Sequence, residues 1–206
     1  MVPEAPTPLP AAGRLPAGLR PGFLLALGTV EPRKNYRRLL AAYRLLRPRT
    51  EIPLVVAGRP GWAYGGALDE LRAEPGVTYL GHVDDATLAA LYESAAGLAF
   101  PSLYEGFGLP LLEAMERGLP ALIGNRGSLP EVAAGAALEV DPEDVPALAA
   151  GLERLLSDRP LRRSLAAAGR KRAAAFSWRR SADAVLSVLI EAAGKERAAE
   201  PVTLGG

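Results

Sequence analysis

Two adjacent cations, Arg33 and Lys34, follow a proline and precede a helix-like stretch in GTVEPRKN, residues 28–35. Cations at a helix start oppose the helix dipole. The placement makes sense if an anion lies between them and the helix; the other reading is a solvated basic turn. A second segment, PSLYEGFGLPLLEAMERG at 101–118, sets Glu105 before a Gly106-Phe107-Gly108 turn that opens a helix. The two glycines let backbone approach a ligand closely and turn N–H groups toward it, from Phe107 and Leu109 as well. Glu113 follows eight residues after Glu105, among Leu111, Leu112, Ala114 and Met115. A carboxylate on a partly buried face needs donors. Sugar hydroxyls would serve, and so would Arg117 at i+4. A third segment, GRPGWAYGG at 58–66, follows a strand-like run and begins with Gly58 and Arg59. It suits a ligand wall or a plain turn, and its Trp62 either stacks on a ring or caps a core.

Other chemistries are excluded. The chain has no Cys and one His, His82, so thiol nucleophiles, Cys–zinc sites and multi-His metal sites are out, and a His triad is disfavoured. His82 reads as a loop residue rather than a base. No G-x-x-x-x-G-K-[ST], G-x-G-x-x-G or G-x-S-x-G occurs; the nearest dinucleotide-type match, starting at Gly106, ends in Leu111 rather than Gly. No D-x-D occurs either, since Asp84 and Asp85 are adjacent, so a metal-bridged diphosphate is not suggested and no metal ligands are expected. With 24 Lys and Arg against 23 Asp and Glu, the formal charge of +1 argues against a broad nucleic-acid footprint.

These residues need elements to hold them. From Phe23 onward, short apolar runs alternate with amphipathic segments. Strands are expected at 23–28, 52–58, 77–81, 97–100, 119–124 and 137–140. Helices are expected at 35–47, 68–73, 84–95, 109–117, 144–156, 159–175 and 178–193. Tyr36, Leu39, Leu40, Tyr43 and Leu46 share one face of the first helix, and Leu88, Leu91 and Tyr92 one face of the third. The alternation implies an α/β fold, a Rossmann-like parallel sheet of about six strands with helices on both faces. Such sheets bind ligands beyond the carboxyl ends of their strands. The segments above, with Gly81–Asp85 and Gly124–Pro130, lie at those ends.

The 206 residues are 49% hydrophobic and 23% charged, ordinary for a folded domain and wrong for a disordered chain. Residues 1–22 hold six prolines and three glycines without period, and read as a linker or interdomain connection. The domain proper is expected at 23–193, with a flexible tail at 194–206. No apolar run is long enough for a transmembrane segment and no signal peptide opens the chain, so a cytoplasmic protein is expected.

Glu105 to Glu113, as EGFGLPLLE, resembles the E-x7-E motif of family 4 retaining nucleotide-sugar glycosyltransferases with the GT-B fold. LGTVEPRKN, GHVDDATLAALYESA, FPSLYEGFGLPLLEAMERGLP, GNRGSLPEVAAGAALEVDPEDVPAL and the FSW turn at 176–178 are similar to that family in its order. The similarity spans about residues 22–193 and only the C-terminal, donor-binding half of the family's two domains. It implies a missing N-terminal acceptor-binding domain as partner, and weak or no transfer by this domain alone. It implies a nucleotide-diphospho-sugar as substrate, GDP-mannose favoured and UDP-hexoses next, with no cofactor. It implies hexosyl or mannosyl transfer in cell-surface polysaccharide or glycoconjugate synthesis, with peripheral association of the whole enzyme at the inner face of the membrane. A non-catalytic nucleotide-sugar or partner-binding module is the alternative. By the resemblance, Arg33 and Lys34 neutralise the diphosphate. Glu105 and the N–H groups of Phe107, Gly108 and Leu109 hold the sugar and phosphate end. Glu113 holds the ribose hydroxyls, and the His82–Val83 backbone meets the base. Gly28, Thr29, Gly58, Arg59 and Gly106 complete the donor-binding set. The chain departs from the common family pattern at Thr29, where many members carry Arg; Arg33 is then the candidate to take over that role.

Overall fold

The computed structural model describes residues 8–61 and 66–199. Four of the aliphatic runs become fully buried strands: β1 (Leu24–Leu27), β2 (Leu54–Ala57), β4 (Gly97–Phe100) and β5 (Ala121–Gly124). This is the burial that a parallel sheet covered on both faces imposes. The edge strands, β3 (Val77–Gly81) and β6 (Leu138–Val140), are less buried. All neighbours pair in parallel, in the order β3-β2-β1-β4-β5-β6. Leu24 of β1 stands opposite Leu54 of β2 on one side and Gly97 of β4 on the other.

Among the described residues eight α-helices connect and follow these strands: α1 (Tyr36–Leu46), α2 (Ala67–Ala73), α3 (Asp85–Ser94), α4 (Leu109–Arg117), α5 (Leu129–Ala133), α6 (Val145–Ser157), α7 (Arg159–Ala173) and α8 (Trp178–Ala199). Successive strand residues face opposite sides of a sheet. Phe23, Leu25 and Leu27 therefore enter a core with α3, α4 and α5, while Leu24 and Ala26 enter a second core with α1, α2 and α6. The expected α/β sheet with helices on both faces is the fold that forms.

Three local features differ from expectation. The short helix α5 was not foreseen, its few residues carrying too little periodicity to read. Helix α8 runs to Ala199, into the stretch from residue 194 expected as a flexible tail. The proline-rich approach is docked over the residues described: the Gly13 N–H donates to the Ala86 carbonyl (2.9 Å), the Gly22 N–H donates to that of Ser94 (2.8 Å), and Leu9, Leu15 and Leu19 pack on the first core. Its leucines are each half-buried against that core without a helical or strand period. Residues 1–7 and 200–206, at the ends of the expected linker and tail, lie outside the described residues. Among the described residues no helix is long and apolar enough to cross a membrane.

The chain builds β1, β2 and β3 outward in one direction, then returns to place β4 on the other side of β1. At that reversal the loops after β1 and β4 leave the sheet side by side and open a crevice.

Candidate active site

The loop after β1 folds back on its own strand. Gly28 has φ 125°, and a Cβ there would lie 2.8 Å from Lys34 Cε, so the close pass of Lys34 requires glycine. Pro32–Lys34 forms a single 3-10 turn, and Asn35 enters the left-handed region at φ 62° and ψ 31°. The Asn35 amide donates to the carbonyls of Pro101 (3.1 Å) and Pro142 (2.6 Å). This one side chain pins the loop after β1 to the loops after β4 and β6.

The loop after β4 meets it. Lys34 Nζ lies 2.6 Å from Glu105 Oε1, and Arg33 Nη1 lies 2.6 Å from Glu105 Oε2. Arg33 Nε also pairs with Glu31 at 2.5 Å. The Lys34 and Glu105 side chains are each 7% exposed, whereas that of Arg33 is 43% exposed and reaches the surface. Lys34 Nζ sits 4.5 Å from the centre of the Phe100 ring. Burial draws the Lys34 pKa below the ordinary lysine value, and the Glu105 charge opposes that shift. The carboxylate beside the basic turn in this structure is the protein's own Glu105. Both oxygens of Glu105 are engaged by the two cations.

Beyond Glu105 the chain turns into α4. Ser128 Oγ lies 3.0 Å from the Glu105 carbonyl and 2.9 Å from that of Phe107, bracing the turn from the loop after β5. Gly108 has φ 102°, and a Cβ there would lie 2.6 Å from Leu129 Cδ2. Around Gly106, by contrast, a Cβ would meet nothing within 4 Å. The N–H groups of Gly106, Phe107, Gly108 and Leu109 have no acceptor among the described residues. Unpaired N–H groups at a helix start are of the kind that can receive an anion.

Glu113, half-buried on α4, accepts a 2.6 Å hydrogen bond at Oε2 from the hydroxyl of Tyr92. Burial pushes its pKa above the ordinary glutamate value, and the Tyr92 bond opposes that shift. The local alternative partner, Arg117, does not take the carboxylate. Its Nη1 lies 3.4 Å from the Glu113 main-chain carbonyl and 3.6 Å from the Glu116 carboxylate.

The remaining expected residues spread along the strand ends. A Cβ on Gly58 would lie 1.9 Å from the Gly28 carbonyl oxygen, so β1 and β2 end in direct backbone contact. Tyrosine hydroxyls hold both carbonyls there: Tyr36 donates to that of Gly28 (2.8 Å) and Tyr79 to that of Gly58 (2.7 Å). Thr29 is half-buried. Arg59 is exposed, and its guanidinium has no partner among the described residues. His82 is exposed and Val83 half-buried, after the edge strand β3, two strands from β1 and so about 10 Å away by ordinary strand spacing. Trp62 lies outside the described residues. The fold therefore gathers Arg33, Lys34, Glu105 and the turn 106–109, places Glu113 on the helix that follows, and sets His82 and Val83 at the far end. Sequence reading gave no site role to Asn35, Tyr36, Tyr79, Tyr92 or Ser128. Asn35 beside the basic pair was the one with a visible local signal; the partners of the others are far away in the chain.

Residues 14–172 match the family model described as Glycosyl transferases group 1. The chain is 43% identical over 162 residues to the O-antigen chain mannosyltransferase B of Escherichia coli, covering 76% of this chain and 42% of that protein. It is 40% identical over 177 residues to an MMP alpha-(1->4)-mannosyltransferase of Mycolicibacterium hassiacum, covering 80% of this chain and 42% of that one. Its fold is shared with the C-terminal domain of a glycosyl transferase group 1 family protein from Francisella tularensis, with a TM-score of 0.66, 21% identity, and coverage of 78% of this chain and 94% of that domain. The chain spans about two fifths of the length of these two curated relatives. With the family model covering most of its length and the strand-end loops in the expected order, the chain belongs to the glycosyl transferases group 1 family.

Proposed function

We propose that this chain is the donor-binding half of a retaining glycosyltransferase that uses a nucleotide-diphospho-sugar, in the E-x7-E class of family 4. The carrying observation is the convergence of Arg33 and Lys34 on Glu105 beside the unpaired N–H groups of the turn 106–109, at the crevice between β1 and β4. The diphosphate lies over that turn, with Arg33 moving from Glu105 to its oxygens. Lys34 stays beneath it and keeps Glu105 paired when Arg33 leaves. Glu113 takes the ribose, and the main chain at His82 and Val83 meets the base. Arg59, exposed beside Gly58, borders the same rim.

The chemistry is a substitution at the anomeric carbon. The bond from that carbon to the phosphate oxygen breaks, and its electron pair stays on the diphosphate. The acceptor hydroxyl attacks from the same face, so configuration is retained, and its proton passes to a phosphate oxygen. Negative charge grows on the diphosphate as the bond breaks, where Arg33 and the helix-start N–H groups oppose it. Each charge-assisted hydrogen bond contributes on the order of 1.5–3 kcal/mol. These groups supply the stabilisation without a metal ion. The acceptor is held by a second domain, so the chain alone binds donor and transfers little.

The mannosyltransferases among its relatives support mannosyl transfer in polysaccharide synthesis; the donor we propose is GDP-mannose, with UDP-hexoses next. Titration calorimetry with GDP, UDP and GDP-mannose tests this reading. We expect binding by the wild type, tighter for GDP than UDP, and weakened by Glu113→Ala. A folded wild type that binds none of them, and that Glu113→Ala leaves unchanged, refutes it.

A further inference from the structure

Glu113 owes its direction to a residue on another helix. Side chains on α3 and α4 lean toward their helix N-termini, which lie at the ligand-binding edge of the sheet. Tyr92 is 1% exposed, and its hydroxyl lies 2.6 Å from Glu113 Oε2 and 3.2 Å from the Pro110 carbonyl. A phenol has one proton, and the nearer, charged acceptor takes it. Burial and the Glu113 charge push the Tyr92 phenol pKa well above its ordinary value, so it remains a donor. Arg117 lies over the Tyr92 ring at 5.6 Å and fixes it from one face. Glu113 Oε2 is therefore committed to protein. Oε1 has no partner among the described residues.

We propose that Tyr92 is a positioning residue: by occupying Oε2 from the core, it aims Oε1 of Glu113 outward as a single-oxygen acceptor for the two vicinal hydroxyls of the donor's ribose. The proposal rests on the donor-binding reading above. One carboxylate oxygen has lone pairs for both hydroxyls, and a carboxylate held at its other oxygen cannot swing away from them. Preference for ribose over deoxyribose then belongs to the Tyr92–Glu113 pair, whereas affinity for the diphosphate belongs to the Arg33–Lys34–Glu105 cluster.

The test measures, by calorimetry on the full chain, the affinity for GDP or UDP, whichever binds tighter, and for its 2′-deoxy counterpart. The wild type should prefer the ribonucleotide by about ten-fold, the scale of one hydrogen bond to a charged group. Tyr92→Phe keeps the ring and removes the hydroxyl. It should reduce that ratio to about two-fold while leaving the deoxynucleotide affinity unchanged, since only the interaction with the missing hydroxyl has been weakened. Glu113→Gln should lower the ratio as well, and adding Tyr92→Phe to it should change the ratio no further, because Tyr92 acts through the carboxylate. The comparison of Glu113→Gln with the double variant stands even if Tyr92→Phe alone fails to fold, since neither carries the buried charge. An equal loss for both nucleotides in Tyr92→Phe would mark a merely structural role and overturn the proposal. So would an unchanged ratio, a wild type without ribose preference, or a further drop in the double variant; in each of these the donor site itself stands. A wild type that binds neither GDP nor UDP overturns the donor reading, and this proposal with it.

Discussion

The Lys34–Glu105 pair allows a prediction whose size follows from the geometry. At 2.6 Å the two charges attract by about 6 kcal/mol with an effective dielectric constant of about 20. Removing each ion from water costs several kcal/mol, so the intact pair comes close to breaking even. The lowered Lys34 pKa has the same meaning: burial outweighs the attraction. Breaking the pair is different, because it strands a charge. Glu105→Gln leaves Lys34, 7% exposed, without its directly paired carboxylate, and should cost about 3–5 kcal/mol. Lys34→Met leaves Glu105 with the partly exposed Arg33, and should cost less, about 2 kcal/mol. The double variant strands neither, so it should fall short of the sum by about 2–3 kcal/mol. Urea unfolding of the four proteins measures this coupling. Thermal unfolding should show Glu105→Gln down by about 10 °C, at roughly 2–4 °C per kcal/mol for a chain of this size. The pH dependence supplies a sign. Between its lowered folded pKa and 10.5, Lys34 holds fewer protons folded than unfolded, so this group makes stability rise with pH across that window. Removing Glu105 takes away the cause that holds the pKa up, and should extend the slope to lower pH. If the two substitutions add to within about 0.5 kcal/mol, the charges are not coupled and the reasoning fails.

One substitution separates stability from binding, and two more test the close backbone contact. Glu113 has a raised pKa, so between 4.5 and its folded value the folded chain binds more protons, and this group makes stability fall as pH rises through that window. Glu113→Gln should therefore unfold at a higher temperature than the wild type at pH 7, with that slope gone, while binding nucleotide more weakly; a lower melting temperature would contradict the burial argument. Gly58→Ala should cost more than about 3 kcal/mol, because its Cβ would lie 1.9 Å from the Gly28 carbonyl oxygen, whereas Gly106→Ala, with open space around it, should cost less than about 1 kcal/mol. Equal melting temperatures for the two glycine variants would refute the assignment of close contact at the β1–β2 end.

Much of the fold was legible because its signals are local. FLLAL and LVVA are too short and too uniformly apolar for amphipathic helices, so they had to be buried strands. Tyr36, Leu39, Leu40, Tyr43 and Leu46 share one face at helical spacing, and all five are buried. The loops that carry the site could be chosen from the same alternation, since a parallel sheet puts its ligand at the carboxyl ends of its strands. The docking of residues 8–22 and the short α5 were not legible, because neither has a period.

The sequence by itself determined which residue types stand at the strand ends: a basic pair after β1, and two carboxylates eight apart around a Gly-Phe-Gly turn. Only the tertiary structure decided how their charges pair. Sequence offered Glu113 a neighbour at i+4 in Arg117, but its hydrogen bond comes from Tyr92, 21 residues away. It left Arg33 and Lys34 either beside an anion or in a solvated turn, and the partner of Lys34 is Glu105, 71 residues beyond it. A helix fixes which neighbours are near in the chain, but a buried charge pairs with whatever donor the packing of the sheet brings within about 3 Å, and that distance is set by strand order rather than by sequence separation.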